Sequence, residues 1–197
     1  MKFSKQEEYL RSTDKKLKKI IDSNGHIIFK SSKKNQFDSL AGIVISQFIS
    51  TKAANSIFQN IKQSFNTKYL NEKHFKKLNI DDIKDLGLSK NKAKTIKELS
   101  ERYLKKEFID LSKMNNDELN YKLLSVFGIG PWSVNMFEIF WLGKQNIFSS
   151  RDAGLRLAMN KAGMVKDGVD WELYDVYAEK WLPFRTIASL HLWKTVD

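Results

Sequence analysis

Leu123-Leu124-Ser125-Val126-Phe127-Gly128-Ile129-Gly130-Pro131-Trp132 sets two glycines around one apolar residue, between two segments of helical periodicity. Glycine permits positive φ and close approach of another backbone, so the stretch predicts a tight joint between helices. Pro131 suits the first position of the second helix, where no amide donor is needed. Ile129 can then plug the joint into the core. The amides of Gly128, Gly130 and the opening of the next helix are left facing outward at a helix's positive end. Such a cluster is a phosphate site built without side chains, and it would hold a nucleic-acid backbone without reading sequence. A plain turn between two helices would use the same residues, so the stretch alone leaves both readings open.

Working outward, the same pattern of periodic segments and short joints recurs. Asp14 to Asp22 reads as an amphipathic helix ending near Gly25. Phe37, Leu40, Ala41, Val44, Ile45 and Phe48 lie at three-and-four spacing, which predicts a buried helix over 37–48. Ser50 or Thr51 can cap a following helix with a stripe of Ala54, Ile57, Phe58, Ile61 and Phe65. Further helices are predicted over 81–86, stopped by Gly87, and from a Ser89 cap to Leu104. Others follow over 117–127, 131–142, 152–162, 171–180 and 183–194. Only His26 to Phe29 hints at a strand. Leu86-Gly87-Leu88-Ser89 loosely echoes the Gly128 joint. The fold class expected is all-α.

Composition bounds the function. A chain of 197 residues, 42% hydrophobic and 12% aromatic, can build a core. No apolar run is long enough for a membrane span, and the charged start, Met1 to Arg11, does not read as a signal peptide. The absence of cysteine excludes disulfides, thiolate zinc sites and cysteine-ligated iron–sulfur clusters. A cytoplasmic setting is the simple expectation. Lys and Arg number 34 against 23 acidic residues, a formal net charge of +11. That excess favours polyanionic partners, nucleic acid first among them; a lysine-rich surface without a partner is the other reading.

The second informative stretch is Phe148-Ser149-Ser150-Arg151-Asp152-Ala153-Gly154-Leu155-Arg156. Asp152 would open a helix, where the dipole and free amides favour its ionised form. An ordinary acidic N-cap has the same appearance.

Taken together, the hairpin of the Phe-Gly-Ile-Gly-Pro-Trp type and the Asp that follows it resemble the helix-hairpin-helix DNA glycosylase superfamily, and within it the alkylpurine branch. Ile45-Ser46-Gln47-Phe48-Ile49-Ser50-Thr51-Lys52-Ala53-Ala54 resembles that branch's early Gln segment. Trp181-Leu182-Pro183-Phe184-Arg185, running on to Trp193, resembles its closing helix. The resemblance spans roughly residues 10 to 195 and implies two helical lobes with a cleft between them and no N-terminal β-lobe. A single glycosylase domain over 1–197 is expected, with a hairpin lobe over about 37–150 and the terminal helices forming the second lobe.

The resemblance also implies roles. Asp152 would be the catalytic carboxylate that stabilises positive charge on the deoxyribose and orients the attacking water. Trp132, Met136 and Trp193 would line the pocket for a flipped base, with indole faces attracting a cationic alkylpurine. Phe48 would be the intercalating wedge, or simply the last core residue of its helix. Gly128, Ile129 and Gly130 would hold the DNA backbone; Lys144, Arg151, Arg156 and Lys161 flank the proposed site as phosphate contacts or, on the other reading, as solvated surface residues. The carbonyls of Leu124, Val126 and Ile129 would hold a monovalent cation; no other cofactor is expected. Bifunctional members carry a Schiff-base lysine where this chain has Trp132, so strand cleavage through an imine is not expected. Arg185 is expected to be structural, and Trp141, Trp171 and Trp181 to be core residues.

The implied function is hydrolytic excision of alkylated purines, 3-methyladenine and 7-methylguanine, from damaged duplex DNA by a monomeric enzyme. Three alternatives stay open at the level of sequence: a glycosylase for deaminated or oxidised purines, a non-catalytic helix-hairpin-helix DNA-binding module, and a helical interaction protein of incidental charge.

Overall fold

The computed structural model describes residues 2–32 and 35–196. Among them there are helices and connecting segments but no strand, as an all-α chain requires. Residues 26–29 are irregular instead of extended in a sheet, because the Ile27 N–H is taken by the buried carboxylate of Glu7 at 2.9 Å.

The chain divides into two compact units, Met1–Ser31 with Glu138–Asp197, and Ser32–Phe137. The division falls earlier than the boundary near 150 expected for the hairpin lobe, so the segment leading to Asp152 belongs with the terminal helices.

The first unit opens with α1 (Lys5–Thr13) and α2 (Lys15–Asn24). Helix α1 was not foreseen, although Ser4 and Glu7 form a reciprocal capping box at its start. Asp14 caps α2 through Lys16 and Leu17 N–H groups.

The second unit carries α3 (Gln36–Ser46), α4 (Thr51–Ser64), α5 (Glu72–Phe75), α6 (Ile80–Asp85), α7 (Lys90–Leu104), α8 (Asn116–Leu124) and α9 (Pro131–Phe137). Helix α3 is its centre, packed against α4, α7 and α9. The expected stripe on α3 is buried from Phe37 through Ile45. It stops there: the helix ends at Ser46, two residues earlier than the periodicity suggested, and Phe48 leaves the core altogether. Phe37 meets Tyr103 edge-on and Phe75 at a tilt.

Returning to the first unit, α9 runs directly into a π-helical turn, Glu138–Leu142. Then come α10 (Ala153–Lys161), α11 (Glu172–Ala178) and α12 (Arg185–Trp193). Pro183 lies ahead of α12, not inside it. Helix α12 packs on α10, α2 and α1. The core of this unit gathers Leu10, Leu17, Ile21, Leu155, Tyr174 and Leu192 around Trp181. The Trp181 indole N–H donates to Asp14 at 3.0 Å, so the one polar atom of the largest fully buried side chain among the described residues is paired.

Candidate active site

In the second unit, α8 and α9 are joined by the turn that contains Gly128. Gly128 has φ 76°, and a Cβ there would run into the Thr95 hydroxyl on α7, so both conformation and space demand glycine. Ile129 is buried as expected, at 5% exposure. A Cβ on Gly130 would meet nothing, which leaves that side of the corner open to another backbone. The Gly130 carbonyl begins α9 by accepting from Val134 N–H.

Helix α7 braces this corner with residues spaced one turn apart. Glu98 accepts from the Phe127 N–H at 3.2 Å, Arg102 donates to the Ser125 carbonyl at 2.8 Å, and the Lys94 ammonium lies 4.0 Å from the Phe127 ring centre. None of these was legible beforehand, because the pairing links segments some thirty residues apart. The Val126 carbonyl already accepts from the Ile129 N–H. A carbonyl has a second lone pair, so this bond alone does not occupy the Val126 oxygen fully.

Phe48 is fully exposed, at 103%, and sits at φ 58°. A left-handed conformation costs an L-residue with a β-carbon about 1–2 kcal/mol, and exposing a whole phenyl ring forgoes roughly 1.5–3 kcal/mol of burial. The reading of Phe48 as the last core residue of α3 is therefore overturned. Trp132, near the start of α9, is partly exposed, whereas Met136 one turn on is buried at 4%.

In the first unit, Asp152 is the N-cap of α10 and is partly exposed. Its Oδ1 accepts from the Leu155 N–H at 2.8 Å and from the Trp193 indole N–H at 2.9 Å. Two donors on one oxygen fix the plane of the carboxylate. The segment before it is pinned by the start of α12. Thr186 Oγ1 donates to the Lys144 carbonyl and accepts from the Ile147 N–H, and Arg185 grips both Asn146 Oδ1 and the Asn146 carbonyl. Arg185 is thus structural, as expected. Helix α12 holds the Asp152 segment at both of its ends.

Gly154 explains why this fits. It is an ordinary helical glycine, so it costs about 1 kcal/mol against alanine. A Cβ there would lie 3.2 Å from Asp152 Oδ1 and 3.4 Å from Trp193 Cδ1. The tight approach is to the carboxylate, so the missing side chain leaves Asp152 Oδ1 its room, while the indole stands at ordinary contact distance.

Phe140 is the residue that sequence reasoning missed. The π turn leaves it exposed at 39%, stacked on Trp193 with ring centres 5.8 Å apart and planes 30° apart. Such turns recur at functional sites, but a helix-period reading cannot reveal one.

The expected phosphate contacts are differently engaged. Lys144 pairs with the buried Glu138 at 2.6 Å. Arg156 donates to the Ser150 carbonyl at 2.6 Å and lies 4.6 Å from the Trp171 ring centre, with Arg151 5.7 Å from the same ring. Trp171 is 48% exposed and corrects the expectation of a core role: its ring is a platform for two guanidinium groups. Trp141 and Trp181 are buried as expected. Lys161 is exposed.

Comparison with known proteins adds independent observations. The family model described as HhH-GPD superfamily base excision DNA repair protein matches residues 41–183. DNA-3-methyladenine glycosylase 1 of Schizosaccharomyces pombe is 27% identical over 98% of this chain and 87% of its own length. The structure of the S. pombe 3-methyladenine DNA glycosylase in complex with abasic DNA matches with a TM-score of 0.90 and 26% identity, covering 98% of this chain and 96% of that one. A DNA-3-methyladenine glycosidase from Bacillus halodurans matches with a TM-score of 0.77 and 25% identity, over 98% of this chain and 89% of that one.

Proposed function

The chain belongs to the HhH-GPD superfamily of base excision DNA repair proteins, and from that premise we propose that it is a monofunctional DNA N-glycosylase that excises alkylated purines from duplex DNA. The observation that carries this reading is Asp152: an acid at a helix start, its Oδ1 held by Leu155 N–H and the Trp193 indole, beside the Phe140–Trp193 stack.

Breaking an N-glycosidic bond builds positive charge on the sugar. A carboxylate held in a fixed plane stabilises that charge without reorganising, and orients the water that attacks C1′. Alkylation at N3 or N7 makes the purine cationic, so it leaves with little acid assistance. The remaining task is to hold the base out of the stack. The Phe140–Trp193 pair offers aromatic surface suited to a cation, an attraction of about 0.5–2 kcal/mol; Trp132, partly exposed on its own unit, has the same chemistry, whereas Met136 is buried there. Phe48 fills the space that the flipped base leaves, while Gly128, Ile129 and Gly130 grip the strand. Arg151 and Arg156 supply positive charge near Asp152, and Lys144 acts through Glu138 more than on phosphate. A cation on the Leu124, Val126 and Ile129 carbonyls would strengthen the grip.

With an indole at position 132 in place of an amine, no imine forms and the strand is left uncut. The net charge of +11 supports a monomer working in the compartment that holds the genome.

The test is base release from methylated duplex DNA. The expected products are free 3-methyladenine or 7-methylguanine and an intact strand bearing an abasic site, with no adduct on borohydride trapping. Release of deaminated or oxidised purines alone would move the specificity elsewhere, and a trapped adduct would refute the hydrolytic mechanism.

A further inference from the structure

The end of α3 that presents Phe48 is held by two side chains of its own unit. Helix α3 has no basic residue in its last turn, so no side chain of its own meets the negative end of its dipole. The Ile45 carbonyl accepts instead from Lys92 Nζ at 2.7 Å. Lys92 sits in the first turn of α7, just after the Ser89 cap. A cation is electrostatically disfavoured there, so α7 itself gives no reason for a lysine at this position. Burial pushes its ammonium below the ordinary lysine range, which adds to the cost of placing it there. What the ammonium serves is the end of α3.

The second hold comes one residue before Phe48. Gln47 Nε2 donates to the Gly128 carbonyl and to Ser133 Oγ, each at 2.9 Å, and Ser133 is 2% exposed. This amide ties the turn that carries Phe48 to the glycine corner and to α9. Phe48 follows in a left-handed conformation with its ring in solvent. A residue so placed relaxes into another conformation unless its neighbours over-determine it, and Lys92 and Gln47 are the neighbours that do so.

We propose that Lys92 and Gln47 are positioning residues that hold the Phe48 ring in its projecting orientation before DNA arrives. Lys92 anchors the Ile45 carbonyl at the end of α3, and Gln47 locks the turn to the strand-gripping corner. Insertion of the ring is thereby coupled to the grip on the backbone. The proposal rests on the reading of Phe48 as the wedge of a glycosylase. It also removes Lys92 from the phosphate contacts that a lysine in so basic a protein would otherwise suggest.

The two roles separate by experiment on the full chain. Single-turnover excision of 7-methylguanine is measured opposite cytosine and opposite a mismatched base, for Lys92→Met and Gln47→Ala. The salt dependence of affinity for an abasic-analogue duplex is measured in parallel. Loss of a charged hydrogen bond corresponds to about a tenfold effect or more. The expected result is therefore an approximately tenfold loss on the paired lesion, a loss of about threefold or less on the mispaired one, and an unchanged salt slope. Equal losses on both duplexes, or a slope for Lys92→Met reduced by about one, the mark of a lost phosphate contact, would overturn the proposal. If Lys92→Met does not fold, Gln47→Ala and Ser133→Ala decide the matter by the same criterion. Phe48→Ala serves as reference. If it shows no preference for mispaired lesions, the wedge reading itself fails; if it does and the other variants match wild type, only the positioning role fails.

Discussion

At Asp152 one oxygen carries two hydrogen bonds from different elements, a helix-start amide and the indole of Trp193. Any N-cap aspartate would accept the first; the second distinguishes this carboxylate. Trp193→Phe keeps an aromatic ring over Phe140 and removes the indole donor. A hydrogen bond to a charged group contributes about 1.5–3 kcal/mol, so kcat is expected to fall by roughly ten- to a hundredfold while affinity for an abasic duplex stays within about threefold. An equal fall in both would mean that Trp193 only shapes the surface. The position of Asp152 at a helix start was legible from its place before Ala153, as was the glycine corner from Gly128 and Gly130. The Trp193 bond was not, because it closes a loop of 41 residues that no local pattern encodes.

Among the elements, the segments with strong periodicity lie where their spacing puts them, and the departures have local causes. Helix α1 escaped notice because its apolar stripe is thin, yet it carries a buried carboxylate that ties three segments together. Glu7 takes His26 Nδ1 at 2.7 Å, the Ile27 N–H at 2.9 Å, and faces His191 Nε2 at 3.2 Å on α12. Burial alone would raise its pKa; the Ile27 and Ser4 backbone donors and the His26 and Ser4 side chains outweigh this and lower it from 4.5 to about 2. For His191, burial is the largest influence and pushes it below its usual value of 6.5, against the upward pull of Glu7. Both folded values lie below the unfolded ones, so both groups make the unfolded state the better proton binder in acid. Stability is therefore fully present above about pH 6.5 and declines as pH falls, first through the histidine and then, below about 4.5, through Glu7. Glu7→Gln replaces the charged group that Ser4 N–H, His26 and Ile27 N–H meet with a neutral amide, a loss of about 3 kcal/mol on the scale of hydrogen bonds to a charged group. That is expected to lower Tm by roughly 6–12 °C at pH 7 and to flatten the decline below pH 4.5. An unchanged Tm with the same acid profile as wild type would show that Glu7 does not tie α12 in place.

Over the whole molecule, the proposed function assigns binding and chemistry to different residues. The glycine corner, its α7 brace and the Phe48 turn lie in the unit of Ser32–Phe137; the Asp152 carboxylate and its aromatic neighbours lie in the other. A net charge of +11 draws DNA to the surface whatever its sequence, and nothing in that attraction requires Asp152. The two functions can therefore be separated by removing one charge, and the most direct measurement is single-turnover excision of 7-methylguanine by Asp152→Asn beside its affinity for an abasic-analogue duplex. The asparagine still accepts from Leu155 and Trp193 but cannot stabilise the sugar cation. The predicted result is a rate lower by about a thousandfold or more, as expected when a group acting on transition-state charge is removed, with duplex affinity retained within about tenfold. Excision at the wild-type rate would contradict the account.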